Sequence, residues 1–81
     1  MSQTMTKKFG DWVHSMIDPV QVSITDLSDY SGIHLRKLYR LLSGQTTLTF
    51  DDWIWLVECI SDMTNTKMTD NVSESIRYMI Q

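Results

Sequence analysis

The chain has 81 residues, 42% hydrophobic and 21% charged, with a formal net charge of −3. That suits one small domain with a modest apolar core, spanning residues 1–81, and excludes general disorder. The acidic total also excludes a uniformly cationic nucleic-acid coat, and the single cysteine, Cys59, excludes a disulfide within the chain.

Helical spacing recurs along the chain, and no period-2 run is long enough for a strand. The first helix is expected from about Thr6 to Ile17, where Phe9, Trp12, Val13, Met16 and Ile17 form one apolar face. Gly10 weakens this helix by roughly 1 kcal/mol relative to alanine. Asp18-Pro19 ends it, because proline drives the preceding residue out of the helical region.

The second helix starts at Ser23, which with Asp26 resembles a capping box, and closes near Ser31-Gly32. Ile24, Leu27 and Tyr30 are its expected apolar contacts. The third runs from about His34 to Leu42, with Leu38 and Leu41 facing inward and Ser43-Gly44 closing it. Gln45 to Leu48 reads as a loop. Thr49 opens the fourth helix, where Phe50, Trp53, Ile54, Val57 and Ile60 make the inward face. A polar connection from Ser61 to Met68 leads to a fifth helix of about residues 70–80. Thr69 or Asp70 caps it, and Val72, Ile76, Met79 and Ile80 share one face. The expected fold is thus all-α, a small bundle of five helices.

Charge is unevenly distributed. Residues 1–10 carry Lys7 and Lys8 without an acid, and residues 33–50 carry Arg36, Lys37 and Arg40 without an acid. The remainder holds all ten acids against Lys67 and Arg77. One internal segment is therefore locally cationic in an acidic protein. That segment coincides with the third helix, which a tight glycine turn joins to the second. Two short helices joined in this way cross steeply and form a helix-turn-helix, which can place its second helix in a major groove.

Leu27, Gly32, Ile33, Leu38, Arg40, Leu41, Gly44, Phe50, Trp53, Leu56 and Ile60 stand at family-like spacings. In this respect the chain resembles the phage repressor and Cro proteins, the XRE-type helix-turn-helix family. The resemblance covers about half of the chain, from about residue 23 to residue 60. It implies a lambda-repressor-like five-helix fold and sequence-specific binding to double-stranded DNA. It also implies base reading by Leu35, Arg36 and Arg40, with Lys37 near a phosphate. Arginine pairs bidentately with guanine, and leucine can meet a thymine methyl. Lys7, Lys8, Gln45, Thr46 and Thr47 are candidate backbone clamps, as are the N–H groups at the starts of the second and third helices. His34, if charged, can also meet a phosphate.

Three positions depart from the family pattern. Ile24 replaces a frequent glutamine, His34 stands where a small polar cap is usual, and Ser31 replaces a core leucine. Leu35, Tyr39 and Leu42 further form an apolar stripe on the outer face of the third helix. That stripe either packs under another part of the chain or contacts a protein partner. Trp55 lies along its own surface or meets a partner, and Met79 and Ile80 are the best candidates for a homodimer contact. Cys59 is expected to be a buried filler, and neither it nor His14 and His34 stand at metal-ligand spacing. No cofactor and no catalytic constellation is expected. The polar N-terminus has no signal-like apolar core, and apolar runs such as Trp53 to Val57 are too short to span a bilayer, so a cytoplasmic location is expected.

Two functional readings follow. One is a phage or prokaryotic transcriptional regulator, a repressor or related DNA binder acting as a dimer. The other is a protein-binding module built on the same fold: an antirepressor, an antitoxin-like partner or an inhibitor of a host system.

Overall fold

The computed structural model covers residues 1–81 and contains five α-helices and no strand. They are α1 (Gln3–Ile17), α2 (Ile24–Ser31), α3 (Leu35–Leu42), α4 (Phe50–Thr64) and α5 (Met68–Ile80). None is long and apolar enough to cross a membrane. Fifteen hydrophobic residues form one buried cluster, centred on Phe9, Trp12, Ile17, Leu27, Leu38, Leu41, Leu56 and Ile60.

α1 starts three residues earlier than its apolar face suggests. The Ser2 hydroxyl accepts from the Met5 N–H and satisfies one of the helix's orphan donors. Thr6 is consequently an interior residue. It is fully buried, donates to the Ser2 carbonyl at 2.9 Å and accepts from the Leu48 N–H at 2.8 Å. The bond to Leu48 anchors the segment between α3 and α4 to the first helix.

Gly10 has a structural reason that outweighs its helix cost. A Cβ there would lie 2.0 Å from the Leu42 carbonyl oxygen, so only glycine allows α1 and α3 to approach this closely. Leu42 itself is buried in the core.

α2 carries the capping box in full. The Ser23 hydroxyl accepts from the Asp26 N–H, and the Asp26 carboxylate accepts from the Ser23 N–H. Gly32 ends the helix in the left-handed region at φ 75°. Serine side chains then stitch the turn into α3. Ser28 Oγ donates to the Ile33 carbonyl at 2.6 Å, and Ser31 Oγ accepts from the Ile33 N–H at 3.1 Å. Ser31 is buried, and its carbonyl accepts from the Trp55 indole at 2.8 Å.

α4 continues four residues beyond Ile60, to Thr64, where Asn65 takes a left-handed cap at φ 54°. Thr49 caps the start by accepting from the Asp52 N–H. Trp53, Leu56, Val57, Cys59 and Ile60 are buried, but Phe50 is 66% exposed and not an inward residue. It lies at the first position of the helix and only leans on Trp53, their ring centroids 5.4 Å apart.

α5 begins at Met68 after Lys67, which makes no side-chain cap, so neither Thr69 nor Asp70 is the capping residue. Its buried face is polar where an apolar one was expected. Asn71 donates to Ser61 Oγ and to Thr66 Oγ1, and Ser75 accepts from the Trp53 indole N–H at 3.1 Å. Met79 completes the buried side, while Ile76 and Ile80 face outward. These bonds satisfy the polar groups that the α4–α5 contact takes out of water.

Candidate nucleic-acid interface

The eight residues of α3 divide between two environments. Leu38, Leu41 and Leu42 are buried, whereas Arg36, Lys37, Tyr39 and Arg40 are exposed and Leu35 is half-buried. The expected outer stripe of Leu35, Tyr39 and Leu42 is therefore shortened to its first two members. Leu42 turns inward, because the close approach permitted by Gly10 brings α1 over the end of α3.

His34 caps the start of α3 by accepting from the Arg36 N–H at Nδ1, 3.2 Å away. As the acceptor of that bond Nδ1 carries no proton, which leaves Nε2 as the ring's donor nitrogen. The imidazole thus serves as the cap of α3. The proposed phosphate role does not require a charged ring.

Two open depressions flank Arg40 and Gln45. The first is lined by His34, Leu35, Arg36, Tyr39, Arg40 and Gln45. The second holds Lys37, Thr46, Thr47, Thr49 and Asp52 beside the same Arg40 and Gln45. The structure therefore gathers most of the candidate DNA-contacting residues on one continuous surface. Lys7 lines neither depression and packs against Gly44, the neighbour of Gln45, where a Cβ would meet Lys7 Cβ at 2.8 Å. Lys8 is half-buried and lines neither depression.

Charge pairing separates the cations. Arg36 and Arg40 form no ion pair, whereas Lys37 faces Asp52 at 3.4 Å and Lys7 is paired with Asp11. The Lys7–Asp11 pair is solvated on both sides and such pairs are worth about 0–1 kcal/mol, whereas the Asp52 side chain is only 22% exposed. Lys7 can exchange its carboxylate for another anion at small cost. The Asp26 carboxylate at the start of α2 works against a phosphate there, so the α3 end is the better of the two expected anion sites.

The remaining candidates are dispersed. Met79 is buried within its own domain and is not available to a partner, whereas Ile80 is 71% exposed. Trp55 is 41% exposed, and its N–H is bonded to the Ser31 carbonyl, so it lies along its own surface. Tyr30, expected to make apolar contacts, is exposed and its hydroxyl donates to Asp62. That bond, and the negative charge of Asp62, hold its phenol pKa above the ordinary value. Cys59 is buried, and desolvation chiefly pushes its thiol up to about 11. No group of three or more His, Cys, Asp or Glu side chains is placed to hold a metal ion.

Sequence reasoning missed the Lys37–Asp52 pair and the serine stitching of the α2–α3 turn. Asp52 was legible only as a capping residue, and no local signal showed that its carboxylate faces α3. Comparison with known proteins found no matching family model, no matching curated protein and no matching solved structure.

Proposed function

We propose that this chain is a cytoplasmic, sequence-specific DNA-binding transcriptional regulator of phage or prokaryotic type, with α2 and α3 acting as a lambda-repressor-like helix-turn-helix. The observation that carries the reading is the exposure of Arg36 and Arg40 on one face of α3, without carboxylate partners, in a protein of net charge −3. α3 lies in the major groove, the two arginines address guanine edges, and Lys37, Gln45, Thr46 and Thr47 hold the backbone. Nε2–H of His34 donates to a phosphate beside the start of α3.

Two copies bind an inverted repeat, with their α3 helices about 34 Å apart. Ile76 and Ile80 on α5, with Phe50 on α4, are the exposed apolar groups that such a dimer would cover. Phe50 leans on Trp53, whose indole bonds Ser75, the neighbour of Ile76.

The test is a fluorescence titration against duplexes from the DNA flanking the gene, at two salt concentrations. Affinity should fall steeply with salt, because phosphate contacts release counterions. Arg36→Ala and Arg40→Ala should each weaken specific binding by roughly 5- to 150-fold, the range expected for loss of a bidentate guanine contact. Unchanged binding by the double variant would refute the assignment.

A second reading is favoured by Tyr39, an aromatic residue 53% exposed beside Leu35 on the same helix. On that reading α3 docks a protein rather than DNA. Tyr39→Ala would then abolish complex formation with that protein, and no duplex would be retained at any salt concentration.

A further inference from the structure

The carboxylates are as unevenly placed as the cations. α2 and α4 pack together and carry Asp26, Asp29, Asp51, Asp52, Glu58 and Asp62, with no lysine, arginine or histidine. Asp26 is used as a cap and Asp52 faces Lys37, but Asp51, Glu58 and Asp62 form no ion pair. With Trp55 these three follow helical spacing and make one stripe along α4. Trp55 and Asp62 are about 10 Å apart along that stripe, from a rise of roughly 1.5 Å per residue. A second aromatic residue joins it. Tyr30, exposed near the end of α2, reaches across so that its hydroxyl donates to Asp62 at 3.1 Å. Chiefly that bond, and to a smaller degree the charge of Glu58, raise the phenol pKa, so both carboxylates act on this ring. The Trp55 indole N–H is bonded to the carbonyl of Ser31, the chain neighbour of Tyr30. Both polar handles are therefore occupied within the chain, and the exposed parts of the two rings offer π surface alone.

We propose that Tyr30 and Trp55, with Glu58 and Asp62, form a docking surface for a cationic segment of another protein, whose arginine or lysine lies on the rings with its charge toward the carboxylates. Charge complementarity selects this occupant. A phosphate backbone or an anionic membrane is repelled by carboxylates that have no cation among them. A purely apolar partner would leave Glu58 and Asp62 desolvated and unpaired. A guanidinium or ammonium group is attracted by the ring faces and by the carboxylates together. The bonds to Asp62 and to the Ser31 carbonyl hold both rings in place before a partner arrives, which lowers the ordering cost of binding. The surface shares no residue with the depressions on α3 and does not depend on the DNA-binding reading.

The experiment selects from a random-sequence peptide library with the intact chain as bait, at about 0.15 M salt, where distant exposed charges are screened. Enriched sequences are made as free peptides and titrated by fluorescence anisotropy. They should carry arginine or lysine and avoid aspartate and glutamate. Trp55→Ala should weaken the best peptide by about 2- to 30-fold, the range of a cation–π contact. Glu58→Gln and Asp62→Asn should each weaken it by up to about fivefold, as expected for a solvated ion pair. These two amide variants keep side-chain size and leave an acceptor for Tyr30, so they carry the test if circular dichroism shows Trp55→Ala unfolded. Glu74→Gln removes an exposed carboxylate on α5 and should change nothing. Enrichment without cationic residues would overturn the proposal, as would an equal loss in Glu74→Gln, which would show diffuse charge attraction only. Self-association of the chain in sedimentation, abolished both by Trp55→Ala and by Arg36→Ala with Arg40→Ala, would also overturn it, by making the occupant a second copy's α3.

Discussion

Replacing Gly10 with alanine sets two effects against each other. Alanine favours a helix interior by about 1 kcal/mol over glycine, and residue 10 is in the middle of α1. On local grounds the variant should be more stable. The added Cβ, however, would lie 2.0 Å from the Leu42 carbonyl oxygen, 2.7 Å from its carbon and 2.9 Å from its Cα. Ordinary contact begins near 3.4 Å, so α1 and α3 would have to part by more than 1 Å. The obstacle is backbone and cannot rotate aside. Overpacking costs about 1–3 kcal/mol, and more where rigid atoms must move. Parting the helices also loosens Leu42 and Phe9. The net expectation is a loss of about 2 kcal/mol, or roughly 8–16 °C in Tm for a domain of this size. Urea and thermal unfolding followed by circular dichroism would measure it. A Gly10→Ala protein as stable as the parent would refute the reasoning, since it would mean that the helix crossing yields freely.

Thr6→Val should cost about 1–3 kcal/mol in chemical unfolding despite nearly equal volume, because the buried Leu48 N–H loses its acceptor; a neutral result would show that this N–H is satisfied otherwise. Trp12→Phe should be tolerated better than Trp53→Phe, although Trp12 is the more deeply buried, because the Trp12 indole N–H has no hydrogen-bond partner while that of Trp53 bonds Ser75; the reverse order of denaturation midpoints would contradict this. Cys59 should react with a thiol-specific disulfide reagent at pH 8 far more slowly in the folded protein than in urea, since its thiol titrates near 11 in the fold against an ordinary 9.0. By the same linkage the unfolded chain releases this proton first, so the contribution of Cys59 to stability is intact below about pH 9 and is lost as pH rises towards 11. Rapid labelling of the native protein, or no alkaline loss relative to Cys59→Ala, would argue against both.

The five-helix architecture was legible because helix signals are local. The Ser23–Asp26 box, the left-handed glycines Gly32 and Gly44, and the spacing of Phe9, Trp12, Val13 and Ile17 each act within a turn or two of chain. The candidate interface was legible for a similar reason, since an acid-free cationic stretch on a short helix is a sequence property. What stayed hidden depends on distant partners. Periodicity marks an apolar arc but not how much of it a neighbour covers, which is why Phe50, Tyr30 and Ile76 are exposed and Leu42 is not. Gly10 showed its helix cost, while its purpose lies 32 residues away at Leu42. The buried side of α5 escaped notice because Asn71 and Ser75 are polar, and only the positions of Ser61, Thr66 and Trp53 make them suitable for the interior.

The hydroxyl stitching between α2 and α3 bears on kinetics as well as shape. With Ser28 and Ser31 already bonded across the bend and Gly32 in its left-handed well, the pitch of α3 is set in the unliganded chain. On the proposed reading, a partner docking onto α3 would meet a bend that is already ordered. Its encounter would then be limited by diffusion and charge steering, and differences between sites would be expressed in how long they stay bound.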